Sequence, residues 1–278
     1  MANTRPDTLF EAFSLAFADY EIRLDKIQLE KMLKRRGFDP ALSFAAFEND
    51  KIIAFTLNGT GTFDSIPTAY DTGTGTLKEH RGKGIATAIF NHSIPYLKKA
   101  NIRQYLLEVL QHNTKAVSVY RNLGFEVARE FNYFIQEKDG IKSRAKTPGF
   151  PYSIRQIDPI QCRSLSGFQD FPPSWQNSFE SIERASEDLT CLGLFAGNTL
   201  AGYCIFEPGS GDITQIAVDR HSRRKGIGSL LFEKAVGCCK SNSVKVVNTE
   251  TSCSPVTRFL EEKNIGISGK QFEMIKLL

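Results

Sequence analysis

The sequence predicts an α+β protein of two tandem domains, and three observations carry that expectation. The pattern Arg-x-x-Gly-x-(Gly or Ala) occurs at Arg81–Ala86 and again at Arg223–Gly228, 142 residues further on. Each copy follows a strand-like run and opens an amphipathic helix, and the flanking elements recur in the same order. Between the two sets lies Lys138–Pro151, which mixes charges with two Gly and two Pro and reads as a linker. The expected division is residues 1–140, a linker over 141–151, and residues 152–278. At 278 residues each half is long enough to bury its own core.

Composition narrows the function classes. Hydrophobic residues at 41% and charged residues at 24% describe an ordinary globular chain. No apolar run approaches the ~18 residues of a membrane span, and the charged N-terminal stretch lacks the apolar segment of a signal peptide. A cytoplasmic protein without a membrane partner is therefore expected. Residues 1–146 carry 21 Lys/Arg against 17 Asp/Glu, and the remainder 14 against 14. Neither half is basic enough for a nucleic-acid footprint, whereas an anionic small ligand fits the modest excess. The six cysteines, Cys162, Cys191, Cys204, Cys238, Cys239 and Cys253, show no Cys-x-x-Cys spacing. They read as reduced apolar fillers, with no metal expected.

In chain order, apolar residues at helical spacing predict helices over Asp7–Tyr20 and Asp25–Arg36, the second ending before Gly37. Leu42–Phe47 and Ile52–Asn58 read as a hairpin across Asn49-Asp50. A Gly/Pro-containing loop then leads to a strand over Ala69–Leu77. After the first Arg-Gly loop a helix runs to about Lys99, with Pro95 expected to kink or shorten it. Gln104–Gln111 is a strand and Thr114–Leu123 a short helix, capped by Asn113 and closed by Gly124. Val127–Gln136 supplies the last strand pair of this half.

The second half replays this order. Ser153–Ile157 is a strand, and Cys162–Glu187 is helical with a break at Pro172-Pro173-Ser174-Trp175. The only Trp lies in that break, either shaping a pocket or capping the core. A hairpin crosses Gly197-Asn198, Asp212–Val218 leads into the second loop, and Ile227–Lys240 follows it. Val244–Thr249 is a strand, Pro255–Lys263 a helix capped by Ser254, and Phe272–Leu278 closes the sheet. The first half opens on a helix where the second opens on a strand. Either Met1–Arg5 does that strand's work or the first sheet borrows one from elsewhere.

A small-residue loop at a helix start presents unpaired N–H groups at the positive end of the helix dipole, a ready phosphate site. A nucleotide-binding P-loop would need Gly-Lys-Ser/Thr, and a dinucleotide loop Gly-x-Gly-x-x-Gly after the first strand; neither is present. With strand, loop, helix, strand and short helix in place, both halves resemble the GCN5-related N-acetyltransferase (GNAT) family. Its acetyl-CoA motif is (Gln/Arg)-x-x-Gly-x-(Gly/Ala) after the fourth strand. The first half adds Asn113-x-x-Ala116-x-x-x-Tyr120-x-x-x-Gly124-Phe125, similar to the family's second signature. The resemblance covers roughly residues 7–136 and 153–278. It implies two GNAT-fold domains, each a mixed, mostly antiparallel sheet flanked by helices.

The resemblance also implies an acetyl-CoA-dependent N-acetyltransferase acting on a small-molecule or peptide amine. Backbone N–H groups from Gly82 through Lys83 and Gly84 to Ala86 would hold the coenzyme A pyrophosphate, with Arg81 and Lys83 adding charge. The pantetheine arm would pair with the edge of Thr74–Leu77, and the N–H of Thr76 or Leu77 would stabilise the oxyanion. Tyr120 stands where the family's general acid stands; the alternative is a helix tyrosine packed on Ile89 and Leu123. Glu108, a lone carboxylate in an apolar strand, lies 12 residues before Tyr120, the spacing of base and acid in the ribosomal-protein N-acetyltransferase branch. It is the candidate general base, or else a salt-bridged glutamate. Asn113 is a cap that orients the site.

The second loop keeps the cradle at Arg223, Arg224, Gly226 and Gly228, with Val218 at the strand exit. Aligning the short helices puts Phe259 at the position of Tyr120, Ser252 at Asn113, and Lys263-Asn264 at Gly124-Phe125. Phe cannot donate a proton. The expectation is coenzyme binding with catalysis lost, while Glu250 and Thr251 keep a second catalytic site open. A non-enzymatic coenzyme A-binding or assembly module is the other reading, and monomer and homodimer both remain open.

Overall fold

The computed structural model describes residues 1–2, 4–19, 23–142 and 148–278. The expected end of the first helix at Tyr20 and the middle of the expected linker fall outside them. Two compact units emerge, Met1–Arg129 with Phe272–Leu278, and Glu130–Gln271.

In the first unit α1 (Pro6–Ala16) begins with proline at its first position, where the missing N–H costs nothing. Helix α2 (Lys26–Arg35) begins at a capping box in which Asp25 and Gln28 satisfy each other's backbone N–H. Strands β1 (Phe44–Glu48) and β2 (Lys51–Phe63) form the expected hairpin, with φ of 48° and 64° at Asn49 and Asp50. The loop expected after Asn58 does not exist. Strand β2 runs on to Phe63 and turns at Asp64-Ser65, also at positive φ, into β3 (Ile66–Thr76). Gly59 misled the reading because it marks a crossing, not a loop. A Cβ there would collide with the carbonyl oxygen of Arg36, where the chain leaving α2 bridges to β2.

Helix α3 (Ile85–Lys99) passes through Pro95 without ending, and β4 (Gln104–Leu110) and α4 (Thr114–Asn122) follow as expected. The sheet order is β1-β2-β3-β4, with residues 272–278 next to β4. Helices α1 and α2 bury Leu9, Phe13, Leu29 and Leu33 against Phe55 and Leu57. Another cluster joins Phe90 and Leu97 of α3 to Tyr105, Leu107, Phe125 and Met274. Met1, Ala2, Thr4 and Arg5 form no strand, so β1 is an edge among the described residues. The borrowed strand is at the other end of the sheet. Phe272–Leu278, expected to close the second sheet, belongs to the first unit.

The second unit comprises β5 (Glu126–Glu137) from Glu130 onward, β6 (Tyr152–Gln156), α5 (Phe179–Arg184), β7 (Thr190–Ala196), β8 (Thr199–Glu207) and β9 (Asp212–Val218). It continues with α6 (Ile227–Cys238), β10 (Ser243–Glu250), α7 (Ser254–Glu262) and β11 (Ile267–Leu277) up to Gln271. Its strands lie in the order β5-β10-β9-β8-β7-β6. In each unit one internal pair is parallel, β3 with β4 and β9 with β10, and the other recorded pairs are antiparallel. Each is thus the mixed, mostly antiparallel sheet flanked by helices that the sequence predicts. Two local expectations change. Residues 162–187 form 3-10 turns and the short α5, because proline and glycine interrupt the helix. Helix α7 starts one residue earlier, with Cys253 rather than Ser254 at its cap.

Candidate active site

The site begins where two strands part. Strands β3 and β4 pair in parallel only at Thr68–Gln104, Ala69–Tyr105 and Tyr70–Leu106; beyond that point they separate. A bulge in β3 accompanies the parting. Leu57 faces Gly73 and Asn58 faces Asp71, so Thr72 is the extra residue, its hydroxyl donating to the Leu57 carbonyl at 2.9 Å.

Register decides which backbone groups face the opening. The Leu77 N–H donates to the Ile53 carbonyl at 2.9 Å, so Leu77 is spent on β2 and is removed as an oxyanion donor. Thr76 and Thr74 then point their N–H and C=O groups away from β2, toward the side where β4 has diverged. The second unit repeats this: Asp219 donates to Ala201 at 3.0 Å, leaving Val218 facing its own opening.

The two Arg-Gly loops place positive φ at the same two positions. Gly82 and Gly84 have φ of 76° and 74°, and Arg224 and Gly226 have 63° and 85°. A Cβ on Gly82 or Gly84 would meet nothing within 4 Å, so glycine serves the dihedral rather than the space. Among the described residues no turn, loop or cap bond to backbone takes up the N–H groups of Gly82, Lys83, Gly84, Ile85 or Ala86 ahead of α3. Lys83 is exposed beside them.

The motif arginines have another task than the expected ligand charge. The Arg81 guanidinium donates to the Thr76 carbonyl at 3.1 Å, the Ala16 carbonyl at 2.8 Å and Asp19 at 3.0 Å. Arg223 donates to the Val218 carbonyl at 3.1 Å, the Phe168 carbonyl at 2.9 Å and Asp170 at 2.6 Å. Each arginine ties the strand exit to the segment preceding the first hairpin of its unit. Both are held away from the role of a mobile phosphate-binding cation.

Tyr120 projects from α4 and packs edge-on to Phe90 with ring centres 5.8 Å apart. Its hydroxyl donates to Asp71 Oδ2 at 3.2 Å. Asp71 also accepts from Thr74 Oγ1 at 2.9 Å and from the Gly73 N–H at 3.0 Å. Burial pushes the Asp71 carboxyl up to about 6, against the pull of those hydrogen bonds and of Arg36. Sequence reasoning missed Asp71. Its only signal was an acid among small residues in a strand, and its partner lies 49 positions away.

Glu108 approaches from the other side. Its strand neighbours Leu107 and Val109 join the α3–α4 core, so alternation turns Glu108 toward α2. There it is hydrogen-bonded to Tyr70, whose ring lies under the Arg36 guanidinium at 5.9 Å. Burial and this carboxylate both hold the Tyr70 phenol well above its ordinary range. Asn113 caps α4 through the Ala116 N–H at 3.3 Å and so fixes the helix that carries Tyr120.

In the second unit the frame persists and the polar groups do not. Its bulge falls at Thr214, with Ile205 facing Gln215 and Phe206 facing Ile213. By that register Ile213 stands at the position of Asp71, and Phe259 packs on Phe232 at 5.7 Å as Tyr120 does on Phe90. The opening holds a small cavity of about 50 Å³ lined by Gln215, Val247, Asn248 and Asn177. Asn177 crosses it, donating to the Val247 carbonyl at 3.0 Å and accepting from Gln215 at its own carbonyl at 2.6 Å. The expected Trp175 is buried beside this crossing. Glu250 accepts from Ser252 at 2.9 Å. Asn264, at φ 64°, ends α7 in the left-handed conformation as Gly124 ends α4 at 83°. The expected alignment of the two helices therefore shifts by one residue: Leu260 rather than Phe259 stands at the Tyr120 position, and Cys253 rather than Ser252 at Asn113.

Cys162, Cys191, Cys204, Cys239 and Cys253 are buried free thiols, and Cys238 is exposed. Among the described residues no group of three His, Cys, Asp or Glu is placed to hold a metal. No helix among them is long and apolar enough to cross a membrane.

Comparison with known proteins gives the same frame. The model of the acetyltransferase (GNAT) family matches residues 7–125 and 156–262. N-alpha-acetyltransferase 30 of Schizosaccharomyces pombe is 29% identical over 105 residues, 37% of this chain and 70% of that protein. A tandem GNAT protein from the clavulanic acid biosynthesis pathway has a similar fold, with a TM-score of 0.73 at 15% identity over 98% of this chain and 94% of that one. A GCN5-related N-acetyltransferase from Sphaerobacter thermophilus gives a TM-score of 0.70 at 13% identity, over 99% and 94%.

Proposed function

The chain belongs to the acetyltransferase (GNAT) family, and on that premise we propose that its first unit moves an acetyl group from acetyl-CoA to an amine. The parting of β3 from β4 supports this most, because Tyr120, the Thr76 N–H and the Gly82–Ala86 loop all border that one opening. The pyrophosphate sits on the loop's N–H groups, at the positive end of α3. The pantetheine arm lies along Thr74 and Thr76 as an added strand. The Thr76 N–H polarises the thioester carbonyl and holds the oxyanion as the tetrahedral intermediate forms.

The amine enters from the α2 side. An α-amine of pKa about 8, and still more a side-chain-type amine of pKa about 10, is mostly protonated at neutral pH, and Glu108, directly or through water, removes that proton. The free amine attacks the carbonyl carbon, the intermediate collapses, and the C–S bond breaks. Tyr120, on the opposite face, protonates the departing thiolate. The acceptor class follows the named relative: the α-amine of a peptide is the first choice, a small-molecule amine the second.

We assign the second unit coenzyme binding or a purely structural task. With Ile213 and Leu260 at the positions of the acid's hydrogen-bonded pair and Asn177 across the opening, it lacks the groups that the first unit offers.

Thiol release from acetyl-CoA, followed with peptides bearing a free α-amine and with polyamines, tests the reading. Tyr120→Phe is expected to lower kcat about 100-fold while changing acetyl-CoA affinity less than threefold. An unchanged kcat would remove Tyr120 from the reaction. Titration with acetyl-CoA separates one occupied unit from two.

A further inference from the structure

The hydrogen bond between Tyr120 and Asp71 poses a problem for the acid. An ionised carboxylate can only accept, so the hydroxyl proton that the thiolate needs is directed at Asp71 Oδ2, 3.2 Å away. Were Tyr120 to give that proton up, a tyrosinate would lie beside a buried carboxylate, two like charges in a site of low dielectric. A neutral Asp71 removes the conflict. Its O–H would donate into the phenol oxygen and free the phenol's own proton to turn toward sulfur.

We propose that Asp71 is the source of the proton that reaches the coenzyme A thiol, with Tyr120 as the relay between them. This rests on the acetyl-transfer reading of the same site. In the transfer step the Tyr120 O–H bond breaks toward the thiolate sulfur while Asp71 Oδ2 passes its proton to the phenol oxygen. The C–S electron pair leaves with sulfur and takes up that proton; the amine's protons go to Glu108 and solvent. Asp71 is left as a carboxylate, and it regains a proton from water when the next acetyl-CoA fills the opening.

Three observations support this. Asp71 is 8% exposed, and burial by the protein alone pushes its carboxyl up to about 6. A bound thioester would remove more water and push it further. The groups facing Asp71 are mostly neutral: Thr74 and Tyr70 from β3, Tyr105 from β4 and Tyr120 from α4. Arg36, at the C-terminal cap of α2, is a cation that acts on it, more weakly than the three hydrogen bonds, and Glu108 of β4 faces Tyr70. Finally, the pair is lost as a pair. The second unit keeps the bulge but carries Ile213 at the Asp71 position and, counted from the helix caps Asn113 and Cys253, Leu260 at the Tyr120 position.

Binding should therefore be coupled to proton uptake, which calorimetric titration of acetyl-CoA in buffers of different ionisation enthalpy reads without any acceptor. Between pH 6.5 and 7.5 the wild type should take up several tenths of a proton more than Asp71→Asn, the difference cancelling protons exchanged by the phosphates. Tyr120→Phe should keep the uptake and lose kcat. Asp71→Asn should lose both, with kcat down about 30-fold and the KM for acetyl-CoA within threefold. Equal uptake in wild type and Asp71→Asn, or a wild-type kcat in Asp71→Asn, would overturn the proposal. Should Asp71→Asn fail to fold, the wild type alone decides: uptake that does not vary between pH 5.5 and 8.5 also overturns it. Failure of Tyr120→Phe to slow turnover would instead sink the acid assignment, and failure of acetyl-CoA to bind would sink the functional reading.

Discussion

A buried carboxyl at position 71 affects stability as well as chemistry. Its folded value of about 6 lies above the 3.8 of an unfolded aspartate, so the native state binds the proton more tightly. The resulting stabilisation is complete below pH 3.8 and is lost as pH rises through 6; two units correspond to about 3 kcal/mol. Asp71→Asn lacks this dependence. Its stability relative to the wild type should fall by about 2 kcal/mol between pH 8 and pH 4.5, read by urea denaturation at the two pH values. A constant difference would show that Asp71 is ionised in both states. The contrast with Arg81 shows what residue-level reading misses. The sequence placed Arg81 in the loop and assigned its charge to a ligand, but the carbonyl that holds it belongs to Ala16, 65 positions earlier. Glu108 and Tyr120 were visible because strand and helix periodicity fixed their surroundings. Asp71 was not, since the bulge that presents it depends on register with β2.

Among the elements, the hairpins were legible wherever local chemistry sets them. Asn49-Asp50 and Gly197-Asn198 are turn residues between alternating strands, and both form turns. The length of β2 was not legible, because Gly59 signals a loop by itself and a strand only when α2's exit lies against it. Gly59→Ala tests that crossing. The added methyl must displace the backbone at Arg36, and we expect a loss of at least about 2 kcal/mol in denaturant unfolding. Because Arg36 also donates to the Thr72 carbonyl at the bulge, 2.9 Å away, acetyl transfer should weaken with it. A variant as stable as the wild type would mean the crossing is loose. The region 162–187 was misread for the opposite reason. Its apolar spacing is helical, but Gly167 and the Pro172-Pro173 pair divide it, and its hydrogen bonds go to the strands of its own unit.

At the scale of the molecule, the repeat was legible and the allotment of its last strands was not. Two strands of similar pattern compete for each closing position, and sequence order assigns them the wrong way round for residues 272–278. Those residues place Met274 in the core with Leu107 and Phe125, and Glu273, 1% exposed, in a paired contact with Arg129 at 2.7 and 2.8 Å. Burial raises the Glu273 carboxyl while Arg129 opposes the rise. Deleting residues 272–278 would leave Arg129 without its carboxylate and β4 with β3 as its one remaining neighbour, at a cost of about 3–5 kcal/mol from the ion pair alone. Acetyl transfer should disappear. Emission from Trp175, the single Trp and a residue of the second unit, should stay blue. Retained transfer would show that the first unit closes without them.

That allotment also sets a timetable during synthesis. Residues 1–129 leave the ribosome early, yet the strand that seals their sheet is made only after all of residues 130–271. At ~5–20 residues per second the wait is roughly seven to thirty seconds, with one edge of β4 unpaired throughout. The unit assigned the chemistry is thus the later to mature, and a nascent chain interrupted before residue 272 would carry its catalytic side chains without a finished enzyme.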